Sequence, residues 1–431
     1  MSIRQLIFLS TLACALPSWA QGDTPPPPAP ASVHLTLVQA LTAARDNSDV
    51  ALARHALTAA RADITSADHA PLPVLSAKAA SIDLQNGIGG GNALTRKRID
   101  KSIGIDWTWE RGNKRALRTL AAQRNANAAE ADVEDVQVQQ LQTALAAYYD
   151  LLAAQERLRE TADIAHSAAE LARLAARRVQ AGDLSVQDAA RTSIEAERAH
   201  TDAQAAEHDR AQAALVLAQV TAGSAAVQAS GSDWPALGAT TAHASSTDLV
   251  AQAEARADVR AALARVQAAQ AALDNASALR KSDWTVGASY DHFPGTSNRL
   301  LEVRVSVPLQ WGYRYEGETG RAQAEYALAQ DTLDKTRRLA LLDLQHLQQV
   351  AHHSAQRAAS FDNGILPRAR QVAQSAELAY TKGALPLTDL LDARRTLRTT
   401  ALEALSARLD HAKALGAWQL RTQPQMLLGK P

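Results

Sequence analysis

Three histidines on one helical stretch, His346, His352 and His353, are the residues that come nearest to a metal-binding pattern in this chain. A helix-borne metal site needs two ligands at i and i+4 on one face. Positions 346 and 353 lie seven apart, which is loose for a tetrahedral ion. Solvated histidines on a polar face account for them better. No Gly-x-Ser-x-Gly, His-Glu-x-x-His or Gly-Lys-Ser/Thr stretch occurs, and no paired carboxylates stand in a catalytic setting. Gly87, Gly89, Gly90 and Gly91 neither follow a buried strand nor open a helix, so they make no phosphate cradle. The sequence therefore points to no catalytic residue, no cofactor and no metal site. Any work done through this chain must draw its energy from a partner.

Residues 1–20 read as a secretory signal peptide: Arg4 at the start, a short apolar core over 6–16, and small residues around Ala20. The lone Cys14 keeps a lipoprotein anchor open as the rival. Residues 21–34 form a Pro-rich leader, with Pro25, Pro26, Pro27, Pro28 and Pro30 favouring a stiff, extended spacer. The whole chain carries 45 basic and 45 acidic residues; losing Arg4 with the signal leaves 44 against 45. Such neutrality argues against nucleic acid as a partner. Apolar residues reach 46% but aromatics only 4%, and alanine is plentiful, a composition that favours long, closely packed helices. No apolar run after the signal is long enough for a membrane helix, so any membrane passage must be a closed barrel.

The elements repeat with an offset of about 200 residues: Gly112 answers to Gly312, and Gly182 to Gly383. A first unit over 35–222 should hold a helix, two strands at about 72–84 and 99–109, and a long helical hairpin with its tip at 181–185. A linker at 223–247 follows. A second unit over 248–421 should hold a helix, strands at about 284–293 and 300–311, and a hairpin with its tip at 382–386, before a tail at 422–431. In the strands, Ile99, Lys101, Ile103, Ile105, Trp107 and Trp109 alternate with polar residues. So do Trp284, Val286, Ala288 and Tyr290, and Leu301, Val303, Val305, Val307, Leu309 and Trp311. Ten-residue period-2 segments with charges on one face are the mark of transmembrane barrel strands, and Trp107, Trp109, Trp284 and Trp311 suit a membrane interface. Four strands cannot close alone, so several copies must pool them. The helical stretches balance too. About 112–180 runs nearly 70 residues, on the order of 100 Å, and 36–68 with 186–222 match it end to end. Gly364 and Pro367 should interrupt the second long helix.

On these features the chain resembles the trimeric, TolC-type outer membrane factors of Gram-negative bacteria. The resemblance rests on the turn from Val179 to Ala189, the turn from Tyr380 to Ala393, and Val305-Ser306-Val307-Pro308-Leu309 before Gly312. It implies a mixed fold: a homotrimer with a shared twelve-stranded outer-membrane β-barrel, all-α below, with a long periplasmic helical barrel. It implies a passive exit duct of a tripartite efflux system, working with a periplasmic adaptor protein and an inner-membrane RND or ABC-type pump. The compact length resembles the heavy-metal efflux branch. Asp389 and Asp392 match aspartates that ring the closed tip; Tyr380 matches a tyrosine bonded to the first hairpin's aspartate, here Asp188. Leu385 stands where the family has a partner arginine, which removes one closing ion pair. Gly182, Leu184, Ser185, Gly383 and Leu385 form the tips an adaptor would meet. Helix capping is the bland account of Asp188 and Asp389. The duct of a type I protein-secretion system is an alternative, and a periplasmic coiled-coil protein without a barrel is another of a different class.

Overall fold

Alternating strands and long Ala-rich helices build two regions, a sheet and a helical stack. The computed structural model describes residues 33–85, 90, 99–221, 223, 227–230, 234–236, 245–294 and 296–423. The segment read as a signal peptide, most of the Pro-rich segment, the Gly-rich stretch apart from Gly90 and nearly all of the C-terminal segment lie outside these. The described chain opens with β1 (Val33–Leu35), α1 (Leu37–Ala44), α2 (Ser48–Ala67), β2 (Val74–Ala80) and β3 (Asp100–Trp109). It continues through α3 (Lys114–Gln180), α4 (Val186–Thr221) and β4 (Val227–Ala229). The second half comprises α5 (Ser246–Ala255), α6 (Ala257–Ala278), β5 (Trp284–Phe293), β6 (Ser297–Ser306), α7 (Glu316–Ser360), α8 (Leu366–Thr381) and α9 (Leu387–Thr422).

The larger sheet is antiparallel in the order β2-β3-β5-β6, so β2 and β6 are its outer strands. Its register aligns Trp109 with Trp284, Trp107 with Val286 and Val305, and Ile105 with Ala288 and Val303. These residues share one face, and nearly all the large ones are exposed in the single chain. An apolar face this continuous needs a non-aqueous neighbour. Among the described residues no helix is long and apolar enough to cross a membrane.

Several boundaries differ from the sequence reading. The first strand is shorter, 74–80 in place of 72–84, and the fourth runs over 297–306 in place of 300–311. Pro308, which has no N–H, ends the ladder there, and 307–311 is tied by side chains: Ser282 Oγ donates to the Pro308 carbonyl (2.9 Å) and Gln310 to that of Leu279 (3.0 Å). The helix read over 36–68 is two helices, because Asn47 leaves the helical conformation and caps α2 through the Val50 N–H at 3.1 Å. The helix expected to open the second unit breaks at Arg256, extended at φ −63° and ψ 146°. Its guanidinium bridges Asp258 (2.8 Å) and Asp343 (2.6 Å) across to α7. Burial opposes that charge, yet the two carboxylates hold it above the usual guanidinium pKa. Pro367 does not break the second long helix outright. The chain widens into a π-helical turn at Phe361–Ile365 and resumes as α8. Because proline has no N–H to give, a wider turn is a low-cost way past it. Asp362 in this turn is nearly buried and accepts from Arg408 Nε at 2.8 Å.

The helices pack along α3, which runs unbroken for 67 residues. α2 and α6 flank its first half, through Arg61–Glu130, Arg115–Asp68, Arg260–Glu134 and Arg265–Asp132. α4 returns along its second half, and α9 meets it at Lys413–Asp150 and Arg421–Asp135. The main core lies at mid-height, where Leu41, Leu145, Tyr148, Leu151, Leu152, Leu217 and Leu420 are essentially inaccessible. Parallel pairing of β1 with β4 closes over it. Gly416 lets α9 reach α3, since a Cβ there would sit 2.3 Å from Leu145 Cδ1.

Candidate functional site

Both hairpin tips are built by the same local physics. α3 ends where Gly182 takes φ +82°, and α8 ends where Gly383 takes φ +73°, a left-handed conformation that glycine adopts without a Cβ clash. At each end two amides turn back on the last helical carbonyls. Asp183 N–H donates to Arg178 (2.8 Å) and Gly182 N–H to Val179 (3.0 Å); Ala384 N–H donates to Ala379 (2.9 Å) and Gly383 N–H to Tyr380 (3.0 Å). That pairing satisfies carbonyls the helix ends would otherwise leave open. Leu184 and Leu385 are half-buried in the two tips, while Gly182, Ser185 and Gly383 face solvent.

The helices that restart from the tips differ. Ser185 caps α4: its hydroxyl accepts from the Asp188 N–H (3.1 Å) and donates to Asp188 Oδ2 (2.8 Å), with Arg191 3.6 Å from the same carboxylate. Asp188 is thus engaged locally, while the cap itself is Ser185. α9 starts from Pro386, which makes no side-chain cap, and Asp389 accepts only from Thr388 at 3.2 Å among the described residues. Asp389 and Asp392 are exposed, and at i, i+3 they share one side of α9.

Tyr380 does not reach Asp188 within the chain. Its hydroxyl accepts from Arg178 Nη1 at 3.3 Å, and the guanidinium lies 5.9 Å from the ring centroid. The cation of α3 holds the tyrosine of α8 because Asp188 is already satisfied by its own helix start. Beside it, Leu171 of α3 packs with Leu387, Leu390 and Leu391 of α9. Further from the tips, Arg395 of α9 grips Glu195 of α4 through two bonds, 3.1 and 2.8 Å, and Arg398 bonds Asp202. The Arg395 hydrogen bond holds the Glu195 carboxyl below the usual range, against the opposing effect of burial. Sequence reading missed these bridges, because partners about 200 residues apart leave no spacing signal.

At the sheet, Trp107, Trp109, Trp284 and Trp311 all lie exposed at the end nearest the helices. Trp109 meets Trp284 edge-on, with centroids 6.4 Å apart at 87°, and the Arg111 guanidinium lies 5.0 Å over Trp284. Trp311 stands beyond the strand and is 87% exposed. On the opposite face Arg304 reaches across β5 to Asp106 at 2.7 Å. Gly287 makes room for it: a Cβ there would sit 2.1 Å from Asp106 Oδ1. Among the described residues no group of three His, Cys, Asp or Glu side chains could hold a metal ion; His352 bonds Gln356 at 3.0 Å.

Residues 40–223 match the family model of outer membrane efflux proteins. No curated protein matches the sequence. Among solved structures, CusC, described in connection with transmembrane channel formation, aligns at 16% identity over 93% of each chain, TM-score 0.75. A membrane protein from Pseudomonas aeruginosa aligns at 18% identity over 90% of this chain and 93% of its own, TM-score 0.76. The outer membrane protein VceC from Vibrio cholerae aligns at 17% identity over 90% and 95%, TM-score 0.72. The chain therefore has the same fold as these proteins over about nine-tenths of its length.

Proposed function

We propose, for a chain whose residues 40–223 match the family model of outer membrane efflux proteins, that it is the outer-membrane channel of a tripartite efflux system. The carrying observation is the sheet: one continuous apolar face, and outer strands β2 and β6 each paired on one side only among the described residues. In lipid such edges must be closed. Pairing β6 of one copy with β2 of the next closes them, and three copies give a twelve-stranded barrel with room for a channel. The helices then form a periplasmic tube continuous with that barrel. The chain acts as a conduit rather than an enzyme: a periplasmic adaptor docks at the tips around Gly182, Leu184, Ser185, Gly383 and Leu385, and an inner-membrane RND or ABC-type pump supplies the energy.

In this reading Asp389 and Asp392 of three copies ring the periplasmic aperture. Like charges so close resist joint ionisation and favour bound cations. Leu385 leaves the second turn without a cationic latch, so closure rests on Arg178–Tyr380 and the leucine cluster beside it. Mass measurement of the detergent-solubilised protein is the direct test. A trimer that conducts in planar bilayers supports the reading, and a stable monomer or dimer overturns it.

A further inference from the structure

Between the two hairpins lies a cavity of about 240 Å³ to which α3, α4, α8 and α9 all contribute. Its floor is apolar: Ile164, Leu171, Ala199, Leu391 and Leu397 line it, with Ala168 and Ala401 on opposite walls. Interiors normally pack without voids larger than a water molecule. An apolar space of this order is large enough for a molecule the size of a single aromatic ring. Charges crowd the rim, and most are spoken for: Arg395 by Glu195, Arg398 by Asp202, and Arg394 by Glu377 at 2.8 Å. Three remain. Among the described residues Glu160 and Asp163 have no ion-pair partner; they stand one turn apart on α3, so they present two carboxylates at the same lip. Arg370 on α8 is likewise without an ion pair among those residues, so at the mouth two free carboxylates stand against one free guanidinium.

We propose that this inter-hairpin cavity is a binding site for a small amphipathic cation, a single apolar ring bearing an ammonium group. The ring fills the space between Ile164, Leu171 and Leu391, and the ammonium rests at the Glu160–Asp163 lip. Because the walls belong to both hairpins, an occupant touches the elements that must part for the tips to splay, and it favours the packed arrangement in which its contacts exist. The site is formed by helices of a single chain.

The test is calorimetric titration of the intact, detergent-solubilised protein with three isosteric probes: benzylamine, benzyl alcohol and benzoate. The expected result is one benzylamine per chain, bound about two- to fivefold more tightly than benzyl alcohol, the range given by exposed ion pairs. Benzoate should bind more weakly than either. Glu160→Gln with Asp163→Asn should erase the advantage of the amine and leave benzyl alcohol unchanged. Ala168→Leu, which fills the cavity from a partly exposed position, should abolish binding of all three. Ala401→Leu, from the opposite wall, should do the same in case the first variant assembles poorly. Benzoate binding as tightly as benzylamine, or binding that survives both filled variants, would overturn the proposal.

Discussion

Inserting an arginine into the apolar face of the sheet should cost an amount set by its height, and the strand register supplies the heights. The tryptophan row at Trp109 and Trp284 marks one boundary, and the turn joining β5 to β6 marks the other. Val303 pairs with Ala288, which pairs with Ile105, and this row lies midway. Val305 pairs with Val286, in register with Trp107, one row from the aromatic boundary. Ser306 points to the opposite face, opposite Thr285. A guanidinium at the bilayer midplane of a barrel costs about 2–4 kcal/mol, falling to about 0–1 near the interface. Val303→Arg should therefore lose about 2–4 kcal/mol per chain, Val305→Arg about 0–1, and Ser306→Arg nearly nothing. The assay is reversible folding into vesicles, followed by denaturant titration and by the heat-modified mobility of the assembled barrel. The reasoning fails if Val303→Arg and Ser306→Arg fold equally well, for then the exposed face does not meet lipid. It fails also if Val305→Arg is the worse of the two valine variants, for then the tryptophan row is not a boundary.

Other outcomes follow from the same geometry. Replacing both Asp389 and Asp392 with alanine should abolish block of single-channel current by multivalent cations, and block that persists unchanged places the constriction elsewhere. Gly287→Ala forces Asp106 away from Arg304; removing the tie should lower the denaturant midpoint in folding titrations, with Gly287→Ala in an Asp106→Ala background lowering it clearly less. His411 is buried, and that burial pushes its pKa below the ordinary 6.5. The unfolded chain then binds the proton more readily. His411 costs no stability above pH 6.5 and destabilises progressively as pH falls below it, so His411→Leu should flatten the fall of melting temperature below about pH 6.5. An unchanged slope would assign the acid sensitivity to other groups.

What the sequence discloses here is what local forces decide. Gly182 and Gly383 announce the tips because each turn needs a left-handed residue and satisfies its own carbonyls within six residues. The strands show through period-2 alternation, but their ends do not. Pro308 stops the β6 ladder early even though the alternation of Val307 and Leu309 continues. The bend at Arg256 has no signal of its own type, since it is paid for by an aspartate on another helix, Asp343. At the tips the two glycine turns stand where the sequence puts them, whereas the partner of Tyr380 is not the Asp188 that the resemblance implies. Ser185 satisfies Asp188 from three residues away, and Arg178, about 200 residues from Tyr380 in sequence, takes the hydroxyl.

The widened turn at Phe361–Ile365 sets the two long columns apart in stiffness and in phase. One extra residue rotates everything beyond it by about 100° relative to a straight helix, so the stripe that α8 turns inward is not the continuation of the stripe on α7. α3 has no such dislocation over its whole length. Two rods built into one stack through other helices, one uniform and one with a single compliant joint, do not bend alike under a load at their free ends. Strain collects at the joint, where the Asp362–Arg408 clasp and Arg357 over the Phe361 ring stand ready to resist it. A push on the tips is thereby converted into torsion of the second hairpin alone, about a point set by a single proline.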